Sequence, residues 1–202
     1  MLIKDEIVKA DILKAAEKLF QQFGLRKTTM EDIAKALGKG KSTLYYYFNN
    51  KEEIFDAVVM KEMWEVCDIT KNAVEHERSA PQKLKAFAIA KIEAMQQKSN
   101  LYQIVSGEIQ ETHRCFESAR KEYYEQEVEL VTGILKYGIQ TGEFNEVIDQ
   151  DMDVLPFVIV SAFAGLGRDL FTQHQFPGIE TRMDSIVNIL VNGLKERKQV
   201  IA

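Results

Sequence analysis

The sequence is poor in several residue types, and each scarcity removes a class of protein. Two cysteines in 202 residues, Cys67 and Cys115, form no CxxC pair and no metal-ligand spacing, and neither do His113 and His174. Two thiols do not build a disulfide framework, so a reducing cytoplasm is expected, with no metal and no cofactor. Prolines number three, and no stretch sustains a period-two alternation of apolar and polar residues, so strands are not expected. The longest uncharged run, Val154 to Gly167, is shorter than the roughly 20 residues that span a bilayer. The opening MLIKDEIVKADILKAAEK mixes acids into its apolar positions, unlike a signal peptide. No Ser/His/Asp or Cys/His arrangement, phosphate loop or Glu-x-x-His pair is present, and Gly165-Leu166-Gly167 follows no strand. An enzyme is not expected.

What the chain does have is apolar content and a divided charge. At 46% hydrophobic residues it can bury a core. The net charge of −5 and the pI near 5.4 argue against a protein coated with nucleic acid over its whole surface. Residues 1–51, however, hold ten Lys/Arg against six Asp/Glu, a net of +4, while the remainder holds sixteen against twenty-five, a net of −9. Opposite signs in adjoining segments point to two roles, a head over 1–50 and a body over 51–202.

Apolar residues recur at three and four along nearly the whole chain, which predicts an all-α fold. A first helix carries Val8, Ile12, Ala15, Leu19 and Phe23 and stops at Gly24. Thr28 with Glu31 reads as the capping box of a short second helix ended by Gly38. A third covers about 41–48, with Leu44 and Phe48 as its core pair. Asn50 with Glu53 caps a long fourth helix to about Glu77, and Ser79 with Gln82 caps a fifth. Further helices are expected over 101–111, 116–141, 151–172 and 179–198.

Two short helices around a glycine form the helix-turn-helix pattern, whose second helix enters the DNA major groove. At about 100° per residue, Ser42 and Tyr46 lie opposite Leu44, with Thr43 and Tyr45 on the flanks and Lys41 in the first turn. Three consecutive tyrosines spread over about 200° of the circumference, so at least one of Tyr45, Tyr46 and Tyr47 faces outward. Phenols and hydroxyls donate to phosphate oxygens and base edges. Thr29 beside a helix N-terminus and Lys51 at the start of the fourth helix suit phosphates, and Lys39 is either a further phosphate contact or a solvated charge.

The stretch TTMEDIAKALGKGKSTLYYYFNNKEEIFDAVV resembles the helix-turn-helix signature of the TetR family of bacterial transcriptional regulators. The resemblance covers Ala10 to about Val59 in detail. It implies DNA contacts at Lys41, Ser42, Thr43, Tyr45, Tyr46 and Tyr47 and a phosphate contact at Lys51. Lys39 stands where the family usually has an apolar residue, and Gly40 where a Ser cap is common; glycine is an acceptable N-cap.

The resemblance also implies a helical body that binds an effector and dimerises through its last two helices. Met60, Met63, Trp64 and Cys67 share a face of the fourth helix, and Phe87, Met95, Tyr102, Tyr123 and Phe163 would complete an apolar effector cavity with a few hydroxyls. Ordinary core packing is the competing reading for each of them. Glu127 interrupts an apolar stripe, so it either binds a cationic effector or pairs internally. Phe157, Val160, Ser161, Ala164 and Gly165, with Ile186, Leu190 and Leu194, form two helices suited to a homodimer contact, against burial within one monomer. A dimer also presents two recognition helices to a palindromic double-stranded operator, about 34–36 Å apart. The expected function is a repressor released when a largely apolar small effector binds; the alternative is the same DNA-binding fold controlled by a protein partner.

Overall fold

The computed structural model describes residues 2–97, 114–173 and 182–194, with side chains at 5–97, 121–166, 182 and 184–194. Among these, every regular element is helical and there is no strand. The elements are α1 (Leu2–Lys27), α2 (Met30–Leu37), α3 (Lys41–Tyr47), α4 (Lys51–Glu75), α5 (Ala80–Gln97), α6 (Arg114–Gln140), a 3-10 helix (Glu146–Asp151), α7 (Leu155–Gln173) and α8 (Met183–Leu194). The helix expected over 101–111 lies outside the described residues. The chain divides into two compact units, residues 1–63 with 100–120, and residues 64–99 with 121–202.

The first unit is built on α1 packing against α2, and α2 against α3. Its core stripe on α1 is Ile12, Ala16 and Phe20, all fully buried, and Phe20 meets the Phe55 ring edge-on at 5.2 Å. The expected stripe runs through Ala15, Leu19 and Phe23, but Phe23 is 48% exposed. The buried row follows the i+4 spacing from Ile12 because Phe20 seats on Phe55. Gly24, at φ 78°, breaks the helical run immediately after Phe23.

The cap of α2 also differs by one residue from the expected pair. Thr29 is the N-cap, its hydroxyl accepting from Asp32 N at 3.2 Å while the Asp32 carboxylate accepts from Thr29 N at 3.0 Å. Thr28 is buried and its hydroxyl donates to Gly24 O at 2.8 Å, so it is committed to the end of α1. Gly38 closes α2 at φ 66°, a left-handed backbone that favours glycine.

In the second unit α5 packs against both α7 and α8. Ser79 and Gln82 form the expected capping box at its start, and Glu143 accepts from Ala80 N at 2.9 Å. Gly138 lets Phe144 lie directly on α6, since a Cβ there would collide with that ring and with Ala80. On α7, Pro156, Val160 and Phe163 are buried, whereas Phe157 and Val158 are exposed. On α8, Val187 and Val191 are buried and Ile189 and Leu190 exposed. No helix among the described residues is long and apolar enough to cross a membrane.

Candidate nucleic-acid interface and sensor core

α3 is seven residues long and has one fully buried side chain, Leu44. Gly40 caps it without a side-chain bond, and Phe48 closes it through its N–H to Leu44 O. Burying Leu44 and Phe48 fixes which side faces out. Lys41, Ser42, Tyr45 and Tyr46 are exposed, Tyr46 by 72%, and Thr43 and Tyr47 are half-buried. The Tyr46 and Tyr47 rings stand edge to face at 4.8 Å. Their mutual packing orients the outer phenol without tying up its hydroxyl.

The flanking polar groups are partly engaged within the head. Tyr47 donates its hydroxyl to Asp5 at 2.9 Å, joining the last turn of α3 to the first turn of α1. Desolvation, then the Asp5 contact, pushes the Tyr47 phenol above its ordinary pKa. Lys41 pairs with Glu31. The Thr29 hydroxyl, then its backbone N–H, holds the Asp32 carboxyl below the usual carboxylate range. Lys39 is exposed, and no partner among the described residues holds its ammonium. The Lys51 ammonium donates to the carbonyls of Leu25, Arg26 and Thr28, partners that lie far from it in the chain and carry no side-chain signature.

The residues expected to line an effector site are divided. Met60 and Met63 fall in the first unit, Trp64 and Cys67 in the second, and Tyr102 lies outside the described residues. Within the second unit Cys67, Phe87, Met95, Tyr123, Glu127 and Phe163 are all buried and Trp64 is half-buried. The Trp64 and Tyr123 rings meet edge to face at 6.2 Å. Glu127 is fully buried, and its partner is internal: both carboxylate oxygens are held by Lys91, itself 1% exposed, and Oε1 accepts from the Tyr123 hydroxyl at 2.8 Å.

Lys91 is a site residue that the sequence reading missed. Its ammonium lies 5.8 Å from the Phe87 ring centroid and 5.5 Å from that of Tyr123. Burial lowers its pKa, opposed by the Glu127 charge. Burial likewise pushes the Cys67 thiol up, which makes it an unreactive core group. A signal for Lys91 was present, since it interrupts the i, i+4 row Phe87–Lys91–Met95 as Glu127 interrupts its own row.

A separate open groove of about 550 Å³ on the second unit is lined by Lys71, Val74, Leu130, Gly133, Ile134 and Tyr137 among others, and none of the expected effector residues lines it. Of the expected dimer contacts, Phe157 and Leu190 are exposed, and Ser161, Ala164, Gly165, Ile186 and Leu194 are half-buried. Val160 is buried in its own unit, which removes it from the free surface. Tyr124 spans part of this face, bonding the Ser161 hydroxyl and stacking edge-on to Phe157 at 5.6 Å. Among the described residues no group of three or more His, Cys, Asp or Glu is placed to hold a metal.

Residues 12–58 match the family model described as bacterial regulatory proteins, tetR family. An uncharacterized HTH-type transcriptional regulator, YhgD of Bacillus subtilis, is 48% identical over 60 residues, 28% of this chain and 31% of its own length. That match therefore spans under a third of the relative. The fatty acid metabolism regulator protein of Bacillus subtilis is 25% identical over 138 residues, 68% of this chain and 71% of its own. The solved transcriptional regulator FadR from Bacillus subtilis, in complex with stearoyl-CoA, superposes with a TM-score of 0.73 at 22% identity, covering 92% of this chain and 98% of its own. The head that matches is the unit whose short helices present Tyr46, and the longer likenesses extend through the helical body. The head, residues 12–58, is that of the tetR family of bacterial regulatory proteins.

Proposed function

We propose that the chain is a homodimeric repressor that reads a palindromic operator through α3 and leaves it when a largely apolar small effector binds the second unit. The observation that carries the DNA half is Tyr46, 72% exposed and opposite the buried Leu44 on a helix too short to serve as core. Lys41, Ser42, Thr43, Tyr45 and Tyr47 share that helix, and Lys39 and Thr29 flank α2. Together they offer cations, hydroxyls and phenols to phosphate oxygens and base edges. The exposed Phe157, Val158, Ile189 and Leu190 supply the apolar surface for a second copy.

The effector half rests on the second unit's core around Trp64, Phe87, Tyr123 and Phe163, and on the likeness to a fatty acid regulator and to a protein solved with stearoyl-CoA. A long-chain acyl thioester is the effector class these support. α4 begins at Lys51 in the first unit and ends in the second, so one helix joins the two roles in the chain. An effector that binds one arrangement of the body better than another lowers the operator-competent population by linkage.

Trp64 is the chain's single tryptophan and serves as the reporter. An operator is first selected from random duplexes with the purified protein, and stearoyl-CoA is then titrated. The expected result is a change in Trp64 fluorescence over the same concentrations that release the operator. Release without a fluorescence change moves the effector away from Trp64, for example to the open groove. No release by stearoyl-CoA rejects the acyl thioester.

A further inference from the structure

Lys51 opens α4, and its ammonium is turned into the head. It donates to Leu25 O at 2.9 Å, Arg26 O at 3.2 Å and Thr28 O at 3.0 Å. An ammonium has three N–H bonds and accepts none, so these carbonyls use its whole capacity. They make up the α1–α2 bend, which runs from the last turn of α1, beyond the break at Gly24, to the residue before the Thr29 cap of α2. Carbonyls at a helix end lack helical donors, and the dipole there favours a cation. A point charge on a flexible stem meets three converging carbonyls in a way that a planar guanidinium does not.

The two things this contact joins lie at opposite ends of the DNA-reading pair. The bend leads into α2 through Thr28, which is itself pinned by its hydroxyl to Gly24 O at 2.8 Å. Lys51 follows α3 after only Phe48, Asn49 and Asn50. That junction is stiffened by Asn50 Oδ1 accepting from Glu53 N at 2.7 Å and the Glu53 carboxylate accepting from Asn49 N at 2.7 Å. The entry to α2 and the exit from α3 are thus held by one side chain, and the pose of α3 depends on both.

We infer that Lys51 is a positioning residue for operator reading, which sets the pose of α2 and α3 by tying the α1–α2 bend to the start of α4 and is not itself a ligand of a DNA phosphate. This rests on α3 as the DNA reader and adds a residue that acts through it.

The test compares affinity for a selected operator with affinity for an unrelated duplex of equal length, over a salt series, in the full chain. The variants are Lys51→Met and Lys51→Arg, each checked for helicity at the assay temperature. Lys51→Met is expected to lose about tenfold or more on the operator and under about twofold on unrelated DNA, the scale of losing charged hydrogen bonds that act only on the specific pose. The salt slope stays unchanged. Lys51→Arg keeps the charge, yet it also lowers the operator preference, because its fork does not fit the three carbonyls.

A phosphate contact predicts otherwise: equal loss on both DNAs for Lys51→Met, a slope smaller by about 0.9 per contact, and no loss for Lys51→Arg. That result overturns the inference, as does an operator-to-unrelated ratio unchanged in both variants. If Lys51→Met does not fold, the ratio for Lys51→Arg decides alone. Tyr46→Ala run in parallel separates the two claims, since loss of operator affinity there upholds α3 as reader whatever Lys51 does.

Discussion

The head and the core of the second unit place their polar groups in opposite ways. In the head, charge and hydroxyls stand on the outside of short helices, and their partners include near neighbours and backbone carbonyls, as with Thr29 and Asp32 or Lys51 and the α1–α2 bend. In the second unit the conspicuous charges are inside, where Lys91 and Glu127 meet across α5 and α6 with Tyr123 completing the carboxylate's bonds. Surface groups left available suit a polyanion such as DNA, whereas two opposite charges paired inside a core satisfy each other. The difference matches the proposed division between a surface that reads DNA and an interior that responds to an effector.

The largest expected effect lies in the interior. Lys91→Met strands a buried carboxylate and is expected to cost about 3–5 kcal/mol of folding stability, with Lys91→Met/Glu127→Leu recovering most of that loss. Urea unfolding of the two variants checks it, and equal losses in the single and the double variant break the comparison. In the head the dominant effect is on binding and is set by salt. Operator affinity should fall log-linearly with salt, with a slope of about −0.9 per phosphate contacted. An affinity insensitive to salt between about 50 and 200 mM contradicts a phosphate-led contact.

Smaller effects test the local devices of the head. Thr29→Ala removes the α2 cap and is expected to cost about 1 kcal/mol in thermal unfolding, with Thr28→Ala acting instead through the end of α1. The Asp32 carboxyl has its pKa lowered by the Thr29 bonds. Its contribution is therefore complete above the unfolded value of 3.8 and lost as pH falls through the lower folded value. Asp32→Asn should flatten that acid limb of the stability profile, and an unchanged limb removes the capping box from the account.

The same contrast explains what was legible in the sequence. The head was readable because its determinants are close together: Gly38 ends α2, Leu44 and Phe48 define the inside of α3, and the tyrosine run has too few buried positions to hide in. Even there, adjacent threonines exchanged roles, since nothing local says that Thr28 is spoken for by Gly24 O. Lys51 looked like a free cation because its three partners lie 23 to 26 residues away and are backbone atoms with no sequence identity. Glu127 stood out as a carboxylate in an apolar row, but its partner did not, because a lysine stem fits an apolar stripe or a solvated face equally well. Pairings 36 residues apart depend on how α5 and α6 pack, which periodicity alone does not report.

The most direct measurement is the operator affinity of Tyr46→Ala by fluorescence anisotropy, with helicity and dimer mass measured on the same sample. Tyr46 is exposed and supports no core, so the fold and the dimer should persist. In the proposed dimer two symmetry-related phenol contacts would be lost per operator, and the expected weakening is about 3 kcal/mol, roughly a hundredfold. Operator affinity within about twofold of the unmodified chain, well under 1 kcal/mol, contradicts α3 as the reading helix.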